Sequence, residues 1–308
     1  MIRAKIAVLL CTYNGEKHLG EQLESIAQQQ HESIDIYVSD DGSTDNTLTL
    51  LERYKTSWNK GSFTVRLGPQ KGFASNFLSL VCDEKIEADF FAYCDQDDIW
   101  ERDKLSRAVS ALAPIENAIA TLYCSRTKIV TETGEMTGKL SCLFTRKPSF
   151  QNALVQSLAG GNTMLFNRQT KQLISKVGIH EIVSHDWWTY MLVTGVGGKV
   201  IYDTHPTVRY RQHENNEIGA NTSWTANLSR VLSLINGRFK KWNEVNLRAL
   251  KTAKPLFTCE NQKTLEQFER LREANLYQRF RLAKNARLYR QSHIGNIALM
   301  GATILKKL

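Results

Sequence analysis

The stretch Ala88-Asp-Phe-Phe-Ala-Tyr-Cys-Asp-Gln-Asp-Asp-Ile-Trp100 combines a strand pattern with a cluster of acidic residues. Its first seven residues are mostly apolar and rich in aromatic side chains, which is typical of a buried strand. The run ends at three carboxylates within four positions, Asp95, Asp97 and Asp98. Such carboxylates repel one another unless a cation lies among them, and Mg²⁺ or Mn²⁺ takes oxygen ligands while leaving positions for phosphates. The stretch therefore predicts a metal-bound phosphorylated ligand at the C-terminal end of a central strand, where open α/β sheets bind ligands.

The acidic cluster also has a purely structural interpretation. Asp-rich segments form turns and cap helices, so the alternative role of Asp98 is to cap a helix that begins near Trp100. The cluster alone does not separate the two interpretations, and the other motifs of the chain have to be weighed with it.

The composition is that of an ordinary globular protein, with 42% hydrophobic and 23% charged residues among 308. No apolar run approaches the ~18 residues of a membrane span. The run at residues 6–11 is too short for a signal-peptide core and is interpreted as a first strand. The six cysteines form no CxxC pair, which favours a reducing compartment over a disulfide framework. We therefore expect a cytoplasmic protein, or one bound peripherally at the inner face of the plasma membrane.

Charge is distributed unevenly along the chain. Residues 228–308 hold 17 Lys/Arg and five Asp/Glu, a net charge of +12, whereas residues 1–227 carry a net charge of −3. A strongly basic C-terminal region indicates an anionic partner, either nucleic acid or an anionic membrane surface.

Short apolar runs alternate with helical patterns in the first two thirds of the chain. Strands are predicted at residues 6–11, 34–39, 63–67, 90–94, 118–125, 163–167 and 199–203. Helices are predicted at residues 16–30, 44–55, 73–82, 102–113 and 186–193. This alternation is typical of βαβ units and a mostly parallel sheet.

Strand patterns end after about residue 215, and helix-forming residues dominate from residue 228 onward. We therefore predict an α/β domain at residues 1–220 and a basic helical region at residues 221–308, with a loop around Pro255. Two apolar faces are predicted in the helical region, one formed by Val231, Leu232, Leu234 and Ile235, the other by Leu265, Phe268, Leu271, Leu276, Phe280, Leu282 and Leu288.

Polar side chains follow the first two predicted strands, in CTYNGE at residues 11–16 and SDDGSTD at residues 39–45. A carboxylate at such a strand end can accept the imide N–H of a uracil or thymine ring, so Asp40 and Asp41 are candidates for contacting a base. The alternative is a helix cap with an Asx turn, which we favour for Ser43 and Asp45.

Four ordered motifs carry a resemblance to a known family: CTYNGEKHL at residues 11–19, VSDDGSTDNT at 38–47, KGFASNF at 71–77 and CDQDDIWERDKL at 94–105. Together they resemble the nucleotide-sugar-dependent glycosyltransferases of family 2. GGNTMLFNR at 160–168, HDWW at 185–188 and YRQHENNEIGAN at 210–221 resemble the rhamnosyltransferases of bacterial cell-surface polysaccharide synthesis within that family. The resemblance spans residues 5 to about 220 and implies the α/β GT-A fold, a Rossmann-like mostly parallel sheet flanked by helices, here followed by a basic α-helical C-terminal appendage.

The resemblance also implies roles for individual residues. The nucleotide-sugar pocket is assigned Thr12, Tyr13, Asn14, Glu16, Asp40, Asp41, Gly72, Asn76, Asp95 and Gln96. Asp95 and Asp97 are the acidic pair that positions the ribose and the metal-bound diphosphate, with Mg²⁺ or Mn²⁺ as the cofactor. Asp186 matches the family's catalytic base.

The chemistry of sugar transfer is consistent with Asp186 as a base, because the acceptor hydroxyl must lose a proton to a positioned group. Its alternative role is to cap the helix that follows. Asp98 and the paired tryptophans Trp187 and Trp188 are candidates for binding the acceptor sugar, since aromatic faces stack on sugar rings. We also expect one of the two tryptophans to belong to the core.

Two further candidates lie near residue 211. Arg211 is a candidate for contacting the diphosphate, and His213 for a third metal ligand. A single His is more often structural or exposed than a ligand, and that alternative stays open for His213.

The resemblance predicts an inverting, metal-dependent transfer with dTDP-L-rhamnose as donor, and a UDP-sugar as the alternative donor. The expected acceptor is a glycan or a lipid-linked oligosaccharide in cell-wall or O-antigen assembly.

For the basic region we expect an anionic membrane surface as partner, or packing on the α/β domain or in a homodimer. A nucleic-acid-binding protein is a rival class, but no RNA-binding motif is visible. A nucleotidyltransferase would carry a Gly-rich phosphate loop near the N-terminus, where this chain has CTYNGEKH.

Overall fold

The computed structural model describes residues 4–212 and 238–308. Within these residues nine strands form one sheet. The strands are β1 (Ile6–Thr12), β2 (Ile34–Asp40), β3 (Phe63–Leu67), β4 (Phe90–Cys94), β5 (Ile99–Trp100), β6 (Thr121–Val130), β7 (Met136–Leu140), β8 (Leu165–Asn167) and β9 (Lys199–Arg211).

The helices of the front part connect these strands. They are α1 (Leu19–Ala27), α2 (Thr47–Ser57), α3 (Phe73–Val81), α4 (Lys104–Leu112), α5 (Phe150–Ala153), α6 (Arg168–Val177) and α7 (His185–Gly195). The C-terminal helices are α8 (Arg238–Ala253), α9 (Cys259–Glu273), α10 (Leu276–Asn285) and α11 (His293–Ile304), with a 3-10 turn at Lys254–Leu256.

The first half of the sheet is parallel, in the order β3-β2-β1-β4. Thr12 at the end of β1 is in register with Asp40 at the end of β2, and Leu10 is in register with Cys94 at the end of β4. The loops that follow these strands therefore meet at one edge of the sheet, as the βαβ pattern predicts.

The second half of the sheet is mixed, which the sequence pattern does not predict in detail. The short β8 runs antiparallel to both β4 and β6, and β9 lies parallel to β6. The strand predicted to end at Asp203 continues to Arg211, because its second half pairs with β6 and with β5. This extension carries the end of β9 to the edge where β4 ends.

Two apolar clusters lie on the two faces of the sheet. Strand β1 contributes to both, because successive side chains of a strand point to opposite faces. Ala7, Leu9 and Cys11 belong to the first cluster, and Ile6, Val8 and Leu10 to the second. The first cluster includes residues of α3 and α7, and the second includes residues of α1 and α4.

The C-terminal helices share the first cluster. Leu250, Phe268 and Leu299, from α8, α9 and α11, are buried in it. Asn261 Nδ2 donates to the main-chain oxygens of Thr194 and Gly195, each at 2.9 Å. The helices at residues 238–308 therefore pack on the front part, and the predicted boundary between residues 220 and 221 lies outside the described residues.

Some predicted features differ in the structure. Gly161–Thr163 form a 3-10 turn before β8, so the predicted strand begins later. Of the second apolar face, Leu265, Phe268 and Leu271 are buried, whereas Leu276 and Phe280 are exposed. Residues 231–235, predicted to form the other face, lie outside the described residues. None of the described helices has the length and apolar character needed to cross a membrane.

Candidate active site

The ends of β1 and β2 are joined by a buried hydrogen bond. Thr12 Oγ1 donates to Asp40 Oδ2 at 2.7 Å, and Asp40 also accepts from the main-chain N–H groups of Gly42 and Ser43 and from Ser43 Oγ. Both Thr12 and Asp40 are buried. In this structure the polar atoms of these two side chains shape the loop after β2, and their direct contact with a nucleotide stays a prediction.

The loops after β1 and β2 brace each other. The side-chain oxygen of Asn14 accepts from Thr44 N at 2.8 Å, and Ser43 Oγ accepts from Asn14 N at 2.8 Å. Glu16 accepts from Asn46 N at 2.7 Å. Asn14 has a φ of 48°, a left-handed conformation that Asn tolerates better than most residues. These bonds hold the two polar loops as one rigid surface.

Tyr13 is the exposed aromatic side chain of this surface. Its ring is 58% exposed, while its main chain is held by the Gln96 amide, which accepts from Tyr13 N at 2.9 Å and donates to Tyr13 O at 3.0 Å. Gln96 lies between the carboxylates Asp95 and Asp97, so this pair of bonds connects the first loop to the acidic cluster.

Asp41 organises the connection after β3. Its carboxylate accepts from Gln70 N at 2.6 Å and from Gly72 N at 3.0 Å. A Cβ on Gly68 would lie 2.8 Å from Asp41 Oδ1 and 2.7 Å from Asn76 Oδ1, so only glycine fits there. Asn76 is buried and donates to Ser39 O at 2.8 Å. Asn76 therefore supports the loop through its amide nitrogen, and its approach to a nucleotide stays a prediction.

The three carboxylates after β4 lie close enough to perturb one another. Burial, followed by the charges of Asp98, Asp97 and Asp186, raises the pKa of Asp95 well above its usual range. Burial and the Asp97 charge raise the pKa of Asp98 to about 8, against hydrogen bonds from Asn162 and Arg211 that lower it. A site with this much repulsion between carboxylates is suited to a cation.

The described residues do not form a cage of three or more His, Cys, Asp or Glu side chains around a metal position. Mg²⁺ is often held instead by one or two carboxylates, with substrate phosphates and water completing its shell. Asp95 and Asp97 fit that arrangement, because both are only partly buried at the end of β4. His213, predicted as a third ligand, lies outside the described residues.

Asp98 and Arg211 are structural supports of the cluster. Asp98 is 1% exposed and accepts from Asn162 Nδ2 and from Arg211 N. The Arg211 side chain, also 1% exposed, donates to Asp97 O, Glu132 O and the Glu21 carboxylate. The Arg211 donors are directed to these three groups, so the diphosphate contact stays a prediction that the hydrogen bonds of this structure do not support.

Two roles were predicted for Asp98, binding of an acceptor sugar and capping of a helix, and the structure shows neither. Its buried carboxylate is not offered to an acceptor sugar. The following helix α4 begins at Lys104, with Asp103 at its N-cap position, so Asp98 is not a cap either.

Asp186 lies in the first turn of α7 and is only partly buried. Its Oδ1 accepts from Trp187 N at 2.6 Å. Burial raises the pKa of Asp186, and hydrogen bonds from Ser184 and main-chain N–H groups oppose this. The Asp186 charge is in turn among the causes that raise the pKa of Asp95, so the two carboxylates are within electrostatic reach of each other.

Tyr210 is a site residue that sequence reasoning missed. Burial, followed by the charges of Asp98, Asp95, Asp97 and Asp186, raises its pKa. The phenol therefore lies within electrostatic reach of the acidic cluster. Its position in the YRQH motif beside two predicted site residues was the available signal.

His185, next to Asp186, belongs to the core rather than to the site surface. Its ring stacks on Phe77 with centroids 3.7 Å apart and meets the Tyr93 ring edge-on at 4.5 Å. Burial lowers the pKa of His185 to about 3, so it is neutral at ordinary pH. A Cβ on Gly161 would lie 2.2 Å from His185 Nε2, which explains the glycine there.

Trp187 and Trp188 are both buried, so the prediction that they bind an acceptor sugar is wrong. Trp187 is 4% exposed, donates from Nε1 to Ala153 O at 2.6 Å and stacks on Phe239. Trp188 is fully buried in the core. Helix α7 is buried on nearly all sides, so neither ring has a face toward solvent.

Comparisons with known proteins agree with this geometry. The family model described as Glycosyl transferase family 2 matches residues 7–173. The dTDP-rhamnosyl transferase RfbG of Shigella flexneri is 31% identical over 247 residues, which cover 75% of this chain and 81% of that protein.

Two solved structures share the fold. TarS from S. aureus in complex with UDP-GlcNAc aligns with a TM-score of 0.55 at 16% identity, covering 92% of this chain and 89% of that one. The mannosyltransferase PcManGT from Pyrobaculum calidifontis, in complex with GDP-Man and Mn²⁺, aligns with a TM-score of 0.52 at 19% identity, covering 100% of this chain and 86% of that one.

Proposed function

The chain belongs to glycosyl transferase family 2, and we propose that it transfers L-rhamnose from dTDP-L-rhamnose to a glycan or lipid-linked acceptor. The observation that carries the choice of donor is the 31% identity to a dTDP-rhamnosyl transferase over three quarters of the chain. A UDP-sugar is the alternative donor that the experiment below must exclude.

The nucleotide is proposed to bind over the braced loops that follow β1, β2 and β3. Tyr13 supports this, because its ring is exposed while its main chain is fixed by Gln96. An exposed, rigid aromatic ring is a suitable surface for stacking a pyrimidine base. Asn14 and Glu16 complete the surface, and Asp41 with Gly72 shapes its far side.

The diphosphate is proposed to lie at the acidic cluster, with Asp95 and Asp97 holding Mg²⁺ or Mn²⁺. When bound, the cation neutralises charge on the leaving diphosphate. The two carboxylates belong to one loop after β4, and Arg211 holds the Asp97 main chain from below. The loop can therefore keep its shape while the side chains bind their ligand.

Asp186 is the proposed base for a single displacement with inversion. Its carboxylate accepts the proton of the attacking acceptor hydroxyl. A carboxylate whose pKa is raised by burial is a stronger base than an ordinary Asp, which suits this step. From a β-linked L-rhamnosyl donor, attack on the opposite face gives an α linkage.

The acceptor and the cellular role remain parts of the proposal. A role in cell-surface polysaccharide synthesis follows from the rhamnosyl donor and the sequence resemblance. The catalytic unit is proposed to be residues 1–220, and residues 221–308 are proposed to mediate a further contact. Of the second region, the helices at residues 238–308 pack on the front part.

Calorimetric titration tests the donor and the cation together. We expect dTDP-L-rhamnose to bind with Mg²⁺ and to lose most of its affinity in EDTA, and UDP-glucose, UDP-N-acetylglucosamine and GDP-mannose to bind more weakly. Preferential binding of a UDP-sugar would replace the rhamnosyl assignment. Equal binding in EDTA would contradict the role of the cation.

Asp97→Ala examines the proposed ligand directly. It should abolish the Mg²⁺-dependent part of donor binding while leaving the melting temperature close to that of the unmodified protein. Asp103→Ala, which removes a half-buried carboxylate six residues further along the chain that makes no capping hydrogen bond, is the matched control. Unchanged Mg²⁺-dependent binding in Asp97→Ala would remove this residue from the site.

A further inference from the structure

The last 33 residues of the chain, 276–308, contain seven Lys/Arg and no Asp/Glu. They include α10 and α11, so the positive charge is carried by two helices and the segments next to them. No acidic residue in this stretch offsets that charge.

Helix α11 presents an apolar face to solvent. Ile294, Ile297, Met300 and Ile304 are 52%, 74%, 58% and 43% exposed. Their spacing of three, three and four residues places them on one side of a helix. Leu299, on the opposite side, is buried in the core of the protein. The exposed side chains are therefore not needed to hold the helix in place.

Helix α10, which packs on α11, carries exposed aromatic and basic side chains of its own. Tyr277 and Phe280 are 78% and 42% exposed, and Arg281 and Lys284 are also exposed. Arg279 differs from them, since it is buried and donates to the main-chain oxygens of Thr303 and Ile304 at the end of α11. Arg279 thus fixes the two helices to each other and leaves Arg281 and Lys284 at the surface.

The exposed cations of this stretch lack a carboxylate partner within residues 4–212 and 238–308. Among the residues that the structure describes, Arg281, Lys284, Arg287 and Lys306 make no ion pair, whereas other basic residues of the C-terminal region, such as Lys254 and Arg272, do. Unpaired cations in the same short stretch as exposed apolar side chains suit a partner surface that is negatively charged outside and apolar beneath.

We propose that Ile294, Ile297, Met300 and Ile304, together with Arg281 and Lys284, form a docking face for an anionic lipid bilayer. Helix α11 has 12 residues. It would span about 18 Å at 1.5 Å per residue, which is shorter than the roughly 30 Å of a hydrocarbon core. The helix therefore lies in the membrane interface, with its apolar side chains among the acyl chains and the cations at the phosphates.

The charge argues for lipid over the other occupants of such a face. A second copy of the chain would bring the same positive charge against itself, which disfavours a symmetric dimer through this surface. A nucleic acid would use the cations but leave Ile297 and Met300 without an apolar partner. The docking face does not depend on which sugar nucleotide the active site takes.

Vesicle co-sedimentation of the full chain tests the docking face. We expect binding to phosphatidylcholine vesicles that contain phosphatidylglycerol, and little binding to phosphatidylcholine alone. The double variant Ile297→Glu with Met300→Glu should lower binding at least about tenfold, since two apolar side chains lose their burial. Arg281→Gln with Lys284→Gln should lower it about 25-fold, or about fivefold for each cation.

Matched variants elsewhere separate the face from general effects. Met136→Glu changes an apolar side chain with an exposure of 53%, and Arg53→Gln with Lys176→Gln removes two exposed cations. Both controls should bind vesicles like the unmodified protein. All variants should keep the melting temperature and the donor affinity, which distinguishes loss of docking from loss of the proposed transferase function.

Three outcomes would overturn the proposal. The first is unchanged vesicle binding by the Ile297→Glu, Met300→Glu variant. The second is equal binding to neutral and anionic vesicles. The third is a dimer in sedimentation velocity that this variant converts to monomer, which would identify a second copy as the occupant.

Discussion

Arg211 Nε donates to the main-chain oxygen of Asp97 at 2.9 Å, so the last residue of β9 holds the acidic loop that follows β4. The two residues are far apart in sequence, and the contact exists because β9 extends to the ligand-binding edge of the sheet. Arg211, which the sequence suggests as a phosphate contact, therefore supports the acidic loop in the folded protein.

Arg211→Met should lower the free energy of unfolding by about 3 kcal/mol, because the buried Arg211 side chain no longer donates to the main-chain oxygens of Asp97 and Glu132 or to the Glu21 carboxylate. Urea denaturation measures this. Arg107→Met is the control, since its ion pair with Asp203 is more exposed and should be worth less than about 1 kcal/mol. Full stability with weaker donor binding in Arg211→Met would support the diphosphate contact.

Gly161→Ala should destabilise the protein by about 1–3 kcal/mol, because the new Cβ would lie 2.2 Å from His185 Nε2. Thermal unfolding is the measurement. Gly301→Ala, in α11 with no atom within 4 Å of the new Cβ, should instead stabilise by about 0.5–1 kcal/mol.

Combining Gly161→Ala with His185→Ala gives a direct check of that clash. The double variant should be less destabilised than the sum of the two single variants, because the smaller side chain makes room for the Cβ. Strict additivity would show that the glycine is needed for another reason.

Asp186→Asn should lower kcat by about 10²–10⁴-fold with little change in donor affinity, since the base is removed while the nucleotide surface is kept. It should also raise the unfolding midpoint at neutral pH. The folded-state pKa of Asp186 is raised by burial, so its ionised form opposes folding above the pKa of the unfolded chain, and the amide removes that penalty. Retained turnover would identify another base.

In a plot of kcat/KM against pH, activity should fall on the acid side at a pH above about 3.9, the ordinary pKa of an aspartate. Because the pKa of Asp186 is raised, activity falls as the pH is lowered through that value, when the carboxyl takes up a proton and cannot accept another. Rate measurements across the acidic range at fixed Mg²⁺ determine this fall. If the residual activity of Asp186→Asn depended on pH in the same way, the fall in activity at low pH would belong to another group.

The element pattern of the front part was predictable because it depends on local sequence. Strand β4 occurs at the predicted residues 90–94, and α3 begins at Phe73 as predicted. Helix α1 begins at Leu19 rather than at residue 16, because Glu16 is used to brace the loop with Asn46. Ends of helices depend on such contacts between loops, which the local sequence does not contain.

The sequence by itself determined the family, the parallel half of the sheet and the loops that meet at its edge. These follow from short motifs at the ends of strands, where side-chain chemistry and chain direction are local properties. Only the tertiary structure decided which polar side chains face the pocket. Asp40, Asp98 and Arg211 are buried supports, and Trp187 and Trp188 belong to the core. Burial depends on what the rest of the chain packs against each side chain, and residue type alone does not contain that information.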